Sequence, residues 1–206
     1  MPDMTLFYSK TSPFVRKVIV LLHETGQLAD IALQEVVLSP TSPDTGVNNA
    51  NPAGKIPALR LADGTLLYDS RVILDYLDQQ HGGPPLVPAG QQRWTCLTLA
   101  ALADAALDAA VLIRYETFLR PPEKRWDSWL NAQQDKIERA LARLEQAAMT
   151  DLQGPFDLAS IGVACLLGYI DLRQPELGWR ERYPQLALWY TEVSLRPSVM
   201  ASQPPV

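Results

Sequence analysis

The chain reads as a small α/β domain followed by an all-α helical domain, and three features of the sequence lead there. The first part alternates strand-like and helix-like segments. A cluster of Gly and Pro then interrupts the chain between His81 and Gln91 (GGPPLVPAG). Everything after it carries apolar residues at helical spacing. The expected domains are residues 1–82 and 91–206, joined by a linker over 83–90.

Residues 5–8 are short, apolar and β-prone, which predicts a strand. Ser12 then stands where a helix N-cap belongs, and Pro13 fits the first helical position, where a missing N–H costs nothing. Val15, Val18, Ile19 and Leu22 share one apolar face, and Gly26 closes this helix. Residues 31–38 read as a second strand, so the start of the domain is a right-handed βαβ crossover. The segment 39–54 is rich in Pro, Ser, Asn and Asp and reads as a surface loop placed to touch ligand. Two short strands over 58–61 and 65–68 flank Asp63-Gly64, a hairpin signal. Asp69 or Ser70 opens the next helix, through Val72, Ile73, Tyr76 and Leu77. Beyond the linker, helices are expected over 94–119, 123–149, 157–172 and 184–195, with a short segment from Pro197. The stretch 157–172 is apolar all round and reads as the central buried helix.

Composition narrows the function classes. The 206 residues carry 18 Lys+Arg against 23 Asp+Glu, a net charge of −5, with no basic stripe, so no nucleic-acid partner is expected. Cys96 and Cys165 lie far apart in apolar segments and read as buried, reduced thiols. His23 and His81 have no metal-ligand spacing, and no metal is expected. No leader-like start appears, and runs such as 18–22 and 161–170 are too short or interrupted to span a bilayer. A cytoplasmic protein without a membrane partner is the expectation.

Three local patterns bear on chemistry. At Thr11-Ser12-Pro13-Phe14 a helix N-terminus offers free N–H groups and partial positive charge, which stabilises a thiolate placed there. Ser12 is then either a plain cap or also a hydroxyl donor to such a sulfur. At Lys55-Ile56-Pro57-Ala58 a proline sits at a strand start, where it removes no ladder bond. With a cis bond, the backbone N–H and C=O of Ile56 would turn outward to grip an extended peptide. At Tyr68-Asp69-Ser70 a strand runs into a helix start that suits an α-carboxylate, with Asp69 able to answer an α-ammonium. A plain cap serves equally well there.

The order TSPFVRKV, NPAGKIPAL and Asp69-Ser70 resembles the thioredoxin-like domain of the soluble bacterial glutathione transferases, and the helical half and its linker fit that family. The resemblance implies that Pro57 is cis, that Ile56 pairs with the cysteinyl part of glutathione, and that Asp69 and Ser70 hold its γ-glutamyl end. Many members have Glu or Gln where this chain has Asp69, so the shorter side chain weakens or shifts that contact. Ser12-Pro13-Phe14 resembles the Cys-Pro-Phe segment of omega-type enzymes and glutaredoxins. Serine in place of cysteine argues against mixed-disulfide chemistry and for a thiolate held by a hydroxyl. Ser12 is the first candidate, with Thr11, Ser9 and Tyr8 as rivals.

The same resemblance makes Lys55 a candidate for the glycyl carboxylate and sets Phe14 against the bound molecules. A homodimer is implied, with Asp104, or alternatively Asp108, reaching the γ-glutamyl group bound by the partner. Arg114, Tyr115 and Phe118 have the helical spacing to line the electrophile's cleft between the domains, unless Tyr115 and Phe118 are simply core. Phe156-Asp157-Leu158-Ala159-Ser160-Ile161 resembles the family's N-capping box and staple with Asp and Ser exchanged. The implied activity is transfer of the glutathione thiolate to an apolar electrophile, with glutathione as co-substrate and a role in detoxification. The alternative is a non-catalytic glutathione-binding or regulatory protein on the same fold.

Overall fold

In the computed structural model, which describes residues 3–205, the strands β1 (Met4–Tyr8) and β2 (Ile31–Glu35) pair in parallel, with α1 (Pro13–Glu24) between them in the chain. Next come α2 (Thr45–Ala50), β3 (Ala58–Arg60), β4 (Leu66–Leu67) and α3 (Ser70–Asp78). The sheet order is β2-β1-β3-β4, with β3 antiparallel to both its neighbours.

Strand alternation sorts the side chains by face. Phe7, Ala58 and Val36 pack with Val47 and Ala50 of α2 in one buried cluster. Leu6 and Leu59, paired in register, are fully buried on the opposite face. The helices α1 and α3 pack on each other, burying Val18, Leu21, Leu22, Ile73 and Leu77.

The helix α2 lies inside the segment expected to be a loop. Its signal is short: Asp44 caps Val47 N–H at 2.8 Å, and Val47 and Ala50 give one apolar turn. The surrounding Pro, Ser and Asn hid it. The second strand also stops at Glu35, three residues before its expected end, although Val36 N–H still donates to the Tyr8 carbonyl at 2.9 Å.

The helical unit contains α4 (Gln91–Leu119), α5 (Asp127–Ala148), α6 (Leu158–Arg173), α7 (Trp179–Arg182) and α8 (Pro184–Val193). As its composition predicts, α6 is the central helix: every residue from Leu158 to Leu167 is buried. At Gly162 it comes so close to α4 that an added Cβ would lie 3.4 Å from that of Ala103. Asp157 caps α6 through Ser160 N–H at 2.9 Å, and the Ser160 hydroxyl donates to the same carboxylate oxygen at 2.9 Å. The exchanged Asp and Ser therefore still serve the helix start. One cap comes from a distant element: Glu145 of α5 accepts from Gln185 and Leu186 N–H at 3.1 and 2.7 Å, completing the start of α8.

By length and composition, α4 is apolar enough to cross a membrane. Its alanines build that value gradually, so it shows no single strongly apolar run. Cys96, Leu99, Ala103, Ala106, Leu107 and Ala110 are buried within the unit, and α4 also carries Asp104 and Asp108.

The compact units depart from the expected division at the chain's end. The first unit runs to Pro85 and includes the segment from Pro197 on, while the second spans Leu86–Arg196. The reason is a set of bonds from α9 (Pro197–Ala201) to α1. Buried Arg16 donates to the Val199 carbonyl at 3.1 Å, and the Ser198 hydroxyl donates to Glu24. The closing segment expected in the helical domain therefore belongs with the first unit.

Candidate functional site

Sheet register alone brings the candidate residues of the first unit to one end. Phe7 pairs with Ala58, so Tyr8 and the turn leading to Ser12 lie beside Pro57. Leu67 pairs with Leu59, so Asp69 and Ser70, two and three residues further on, emerge at the same end. Both α1 and α3 begin there, and two helix N-termini carry partial positive charge to one edge of the sheet.

At the start of α1, Ser12 is the N-cap, and its Oγ accepts from Val15 N–H at 3.3 Å. Pro13 has no N–H, and Arg16 N–H donates to the Ser12 carbonyl at 3.0 Å. Phe14 is thus the N–H of the first turn with no intrahelical acceptor. A serine oxygen accepts up to two hydrogen bonds and donates one, so the cap leaves the Ser12 proton for another acceptor. Ser12 and Phe14 are half-buried and Thr11 is exposed. Tyr8 and Ser9 are half-buried, and the Ser9 carbonyl receives Ser12 N–H at 3.2 Å.

Before β3, buried Asn51 shapes the chain: its amide donates to the Lys55 carbonyl at 2.9 Å and accepts from Ala53 N–H at 3.0 Å. That brace delivers Ile56 and Pro57 to the sheet end. The Ile56–Pro57 and Tyr68–Asp69 bonds are cis. Pro57 is buried, Ile56 half-buried, and the Lys55 side chain exposed. Asn51 was not among the sequence candidates; its signal was Asn before Pro, which favours a turn.

At the start of α3 the cap is Asp69, and Ser70 is the first helical residue, buried. Asp69 accepts Arg71 N–H at 3.0 Å and holds the Arg71 guanidinium at 2.7–3.3 Å. The Arg71 hydrogen bond keeps the Asp69 carboxyl below the usual carboxylate range, and Lys17 adds to this through its charge. Lys17 is itself buried, 5.4 Å from the Phe14 ring centroid. Arg71 and Lys17 are site neighbours that pattern reading passed over, since each resembles an ordinary solvated cation. Exposed pairs like Asp69–Arg71 are worth only about 0–1 kcal/mol, so a ligand ammonium can compete for the carboxylate.

The remaining candidates lie in the second unit. Asp104 is buried on α4, while Asp108 is exposed. Tyr115 and Phe118 are 38% and 65% exposed, so neither is a core residue. Arg114 stacks on Phe118, 3.9 Å from the ring centroid. Burial raises the Cys96 thiol to about 12, which leaves it unreactive at neutral pH. Among the described residues no three His, Cys, Asp or Glu side chains gather as a metal site.

Comparison with known proteins now bears on this arrangement. The family models for the glutathione S-transferase N-terminal and C-terminal domains match residues 6–85 and 127–192. The uncharacterized GST-like protein YibF of Escherichia coli (strain K12) is 32% identical over 205 residues, covering 98% of this chain and 99% of that protein. This chain belongs to the glutathione S-transferase family. A family member from Pseudomonas fluorescens Pf-5, solved with bound glutathione, is 62% identical with a TM-score of 0.97, covering 98% of this chain and 100% of that one. A second structure from that source, with bound S-(propanoic acid)-glutathione, is 60% identical with a TM-score of 0.92 over the same shares of the two chains.

Proposed function

We propose that this chain is a glutathione transferase that activates the glutathione thiol at the start of α1. The observation that carries this reading is the register, which gathers Ser12, Ile56-Pro57 and Asp69-Ser70 at one sheet end beside two helix N-termini. The solved family member with glutathione bound, at 62% identity, supports glutathione as the ligand.

In this reading Ser12 donates its free proton to the sulfur, and the α1 N-terminus adds its partial charge, so more of the thiol ionises at neutral pH. Ile56 pairs through its backbone with the cysteinyl unit across the cis Pro57 bond. The γ-glutamyl carboxylate meets the start of α3 at Ser70, its ammonium meets Asp69, and the glycyl carboxylate lies toward Lys55. Thr11 assists or substitutes for Ser12, Phe14 contacts the bound tripeptide, and Asp104 of a second copy completes the γ-glutamyl contacts. The thiolate then forms a C–S bond to an apolar electrophile as the leaving group departs with its electron pair. The working form is a cytoplasmic homodimer.

Titration calorimetry with glutathione, alongside a conjugation assay with 1-chloro-2,4-dinitrobenzene, tests this. Binding with turnover is expected. Absence of binding at millimolar glutathione overturns the reading, and binding without turnover on any electrophile supports the regulatory alternative. Light scattering checks the dimer.

A further inference from the structure

The loop ahead of β3 is built around one buried side chain, that of Asn51. Every polar group of this residue is engaged within the segment 47–55. Its N–H donates to the Val47 carbonyl at 2.7 Å, where α2 ends, and its carbonyl accepts Gly54 N–H at 2.8 Å. The side-chain oxygen accepts Ala53 N–H at 3.0 Å, and the side-chain nitrogen donates to the Lys55 carbonyl at 2.9 Å. The first three bonds close the turn. The fourth reaches past it, to the peptide that joins Lys55 to Ile56.

That peptide is trans, so its C=O and N–H point to opposite sides of one rigid plane. Asn51 draws the Lys55 carbonyl into the loop, and the Ile56 N–H is thereby turned away from it. Among the described residues this N–H has no acceptor, since the pairing with β1 begins only at Ala58. Pro57 carries no N–H, so Ile56 holds the last free donor before the strand. The Ile56 side chain packs against the buried cluster of Phe7, Val47 and Ala58, which leaves its backbone as the part available at the sheet end. Gly54 keeps the loop in this shape: its φ is +63°, and an added Cβ would stand 3.0 Å from the Asn48 Oδ1. A backbone donor without an acceptor in its own chain is open to a ligand.

We infer that Asn51 is a positioning residue for glutathione: by holding the Lys55 carbonyl, it aims the Ile56 N–H at a carbonyl of the cysteinyl unit. It acts only through the Lys55–Ile56 peptide and touches neither the tripeptide nor the reacting sulfur. The inference rests on the glutathione transferase reading and adds to it the group that sets the direction of the Ile56 contact. Without the side-chain donor the peptide plane is no longer fixed, and the tripeptide loses up to one neutral hydrogen bond. That corresponds to about two- to tenfold in affinity.

The test compares the native protein with Asn51→Ala and Asn51→Asp, using titration calorimetry with glutathione and NMR of the Ile56 amide. The aspartate variant keeps an acceptor for Ala53 N–H and removes the donor to Lys55, so it serves should the alanine variant unfold. Circular dichroism checks each fold. In the native protein, saturating glutathione should move the Ile56 amide proton downfield and slow its exchange with solvent. In the variants affinity should fall about two- to tenfold, and the Ile56 amide should stay unprotected even at saturation. A residue that merely stabilised the loop would lower the melting temperature and leave the Ile56 response of the loaded protein intact. Native binding with no response at Ile56, or a folded variant that keeps the native affinity or the native Ile56 response, overturns the inference and leaves glutathione binding in place. If the native protein does not bind millimolar glutathione, the glutathione reading itself fails and takes this role with it.

Discussion

Replacing Ser12 by alanine separates two roles that one hydroxyl fills. As N-cap, its Oγ accepts Val15 N–H at 3.3 Å, a long bond, so the loss of stability should sit near the lower part of the usual N-cap range, about 0.5–1 kcal/mol. For a chain of this length that lowers the melting temperature by about 1–4 °C. As donor, the same hydroxyl supplies the sulfur with a hydrogen bond to a charged acceptor, worth about 1.5–3 kcal/mol. At 1.36 kcal/mol per unit, losing it raises the bound thiol pKa by about 1–2 units and lowers the neutral-pH conjugation rate about 10- to 100-fold. Thiolate ultraviolet absorbance of the glutathione complex against pH reads the pKa, and stopped-flow conjugation reads the rate. Ser12→Thr keeps both functions and should restore most of each. An alanine variant with a lowered melting temperature but an unchanged thiol pKa and rate would show that Ser12 only caps α1, and the donor argument would fail.

Three further outcomes are expected. Asp69 is held below its ordinary range by the Arg71 hydrogen bond, so its contribution to stability is present above the unfolded carboxyl pKa and lost as pH falls through the lower folded value; Asp69→Asn should flatten the acid limb of urea midpoint against pH and weaken glutathione binding, and an unaltered acid limb would remove Asp69 as its source. Asp157→Ala removes both the N–H and hydroxyl contacts of Ser160 at the start of α6 and should cost about 1–2 kcal/mol in urea denaturation; a change below about 0.3 kcal/mol would show that the cap is redundant. Cys96, raised to about 12 by burial, and buried Cys165 should resist an aromatic disulfide reagent in the native protein at neutral pH and react once it is unfolded; rapid native labelling would mean the helical unit opens readily.

Much of the fold was legible because it rests on local rules. Ser12-Pro13 at a helix start, Asp63-Gly64 at a hairpin and the all-round apolar 157–172 each describe a physical preference of a few adjacent residues. Where short-range signals conflicted, the sequence misled. Polar composition outweighed Asp44, Val47 and Ala50, which build α2, and only their burial against Phe7 and Val36 stabilises so short a helix. The closing segment from Pro197 looked like the end of a helical domain. Its attachment to α1 depends on Arg16 and Ser198 meeting partners more than 170 residues away, which no local pattern records.

The candidate site divides the same way. Ser12, Pro57, Asp69 and Ser70 could be named from sequence, because caps and a proline at a strand start each have a local cause, and because their order resembles a family. That they converge depends on pairing register, which sets Tyr8 beside Pro57 and carries Asp69 to the same sheet end. Arg71, Lys17 and Asn51 became part of the site only through contacts made in the folded chain. Apart from α2, sequence by itself determined which segments become helix or strand and which residue types stand at their ends, because those choices are settled within a turn or a hairpin. The tertiary structure alone decided which of those ends meet, because that depends on groups brought together from far along the chain.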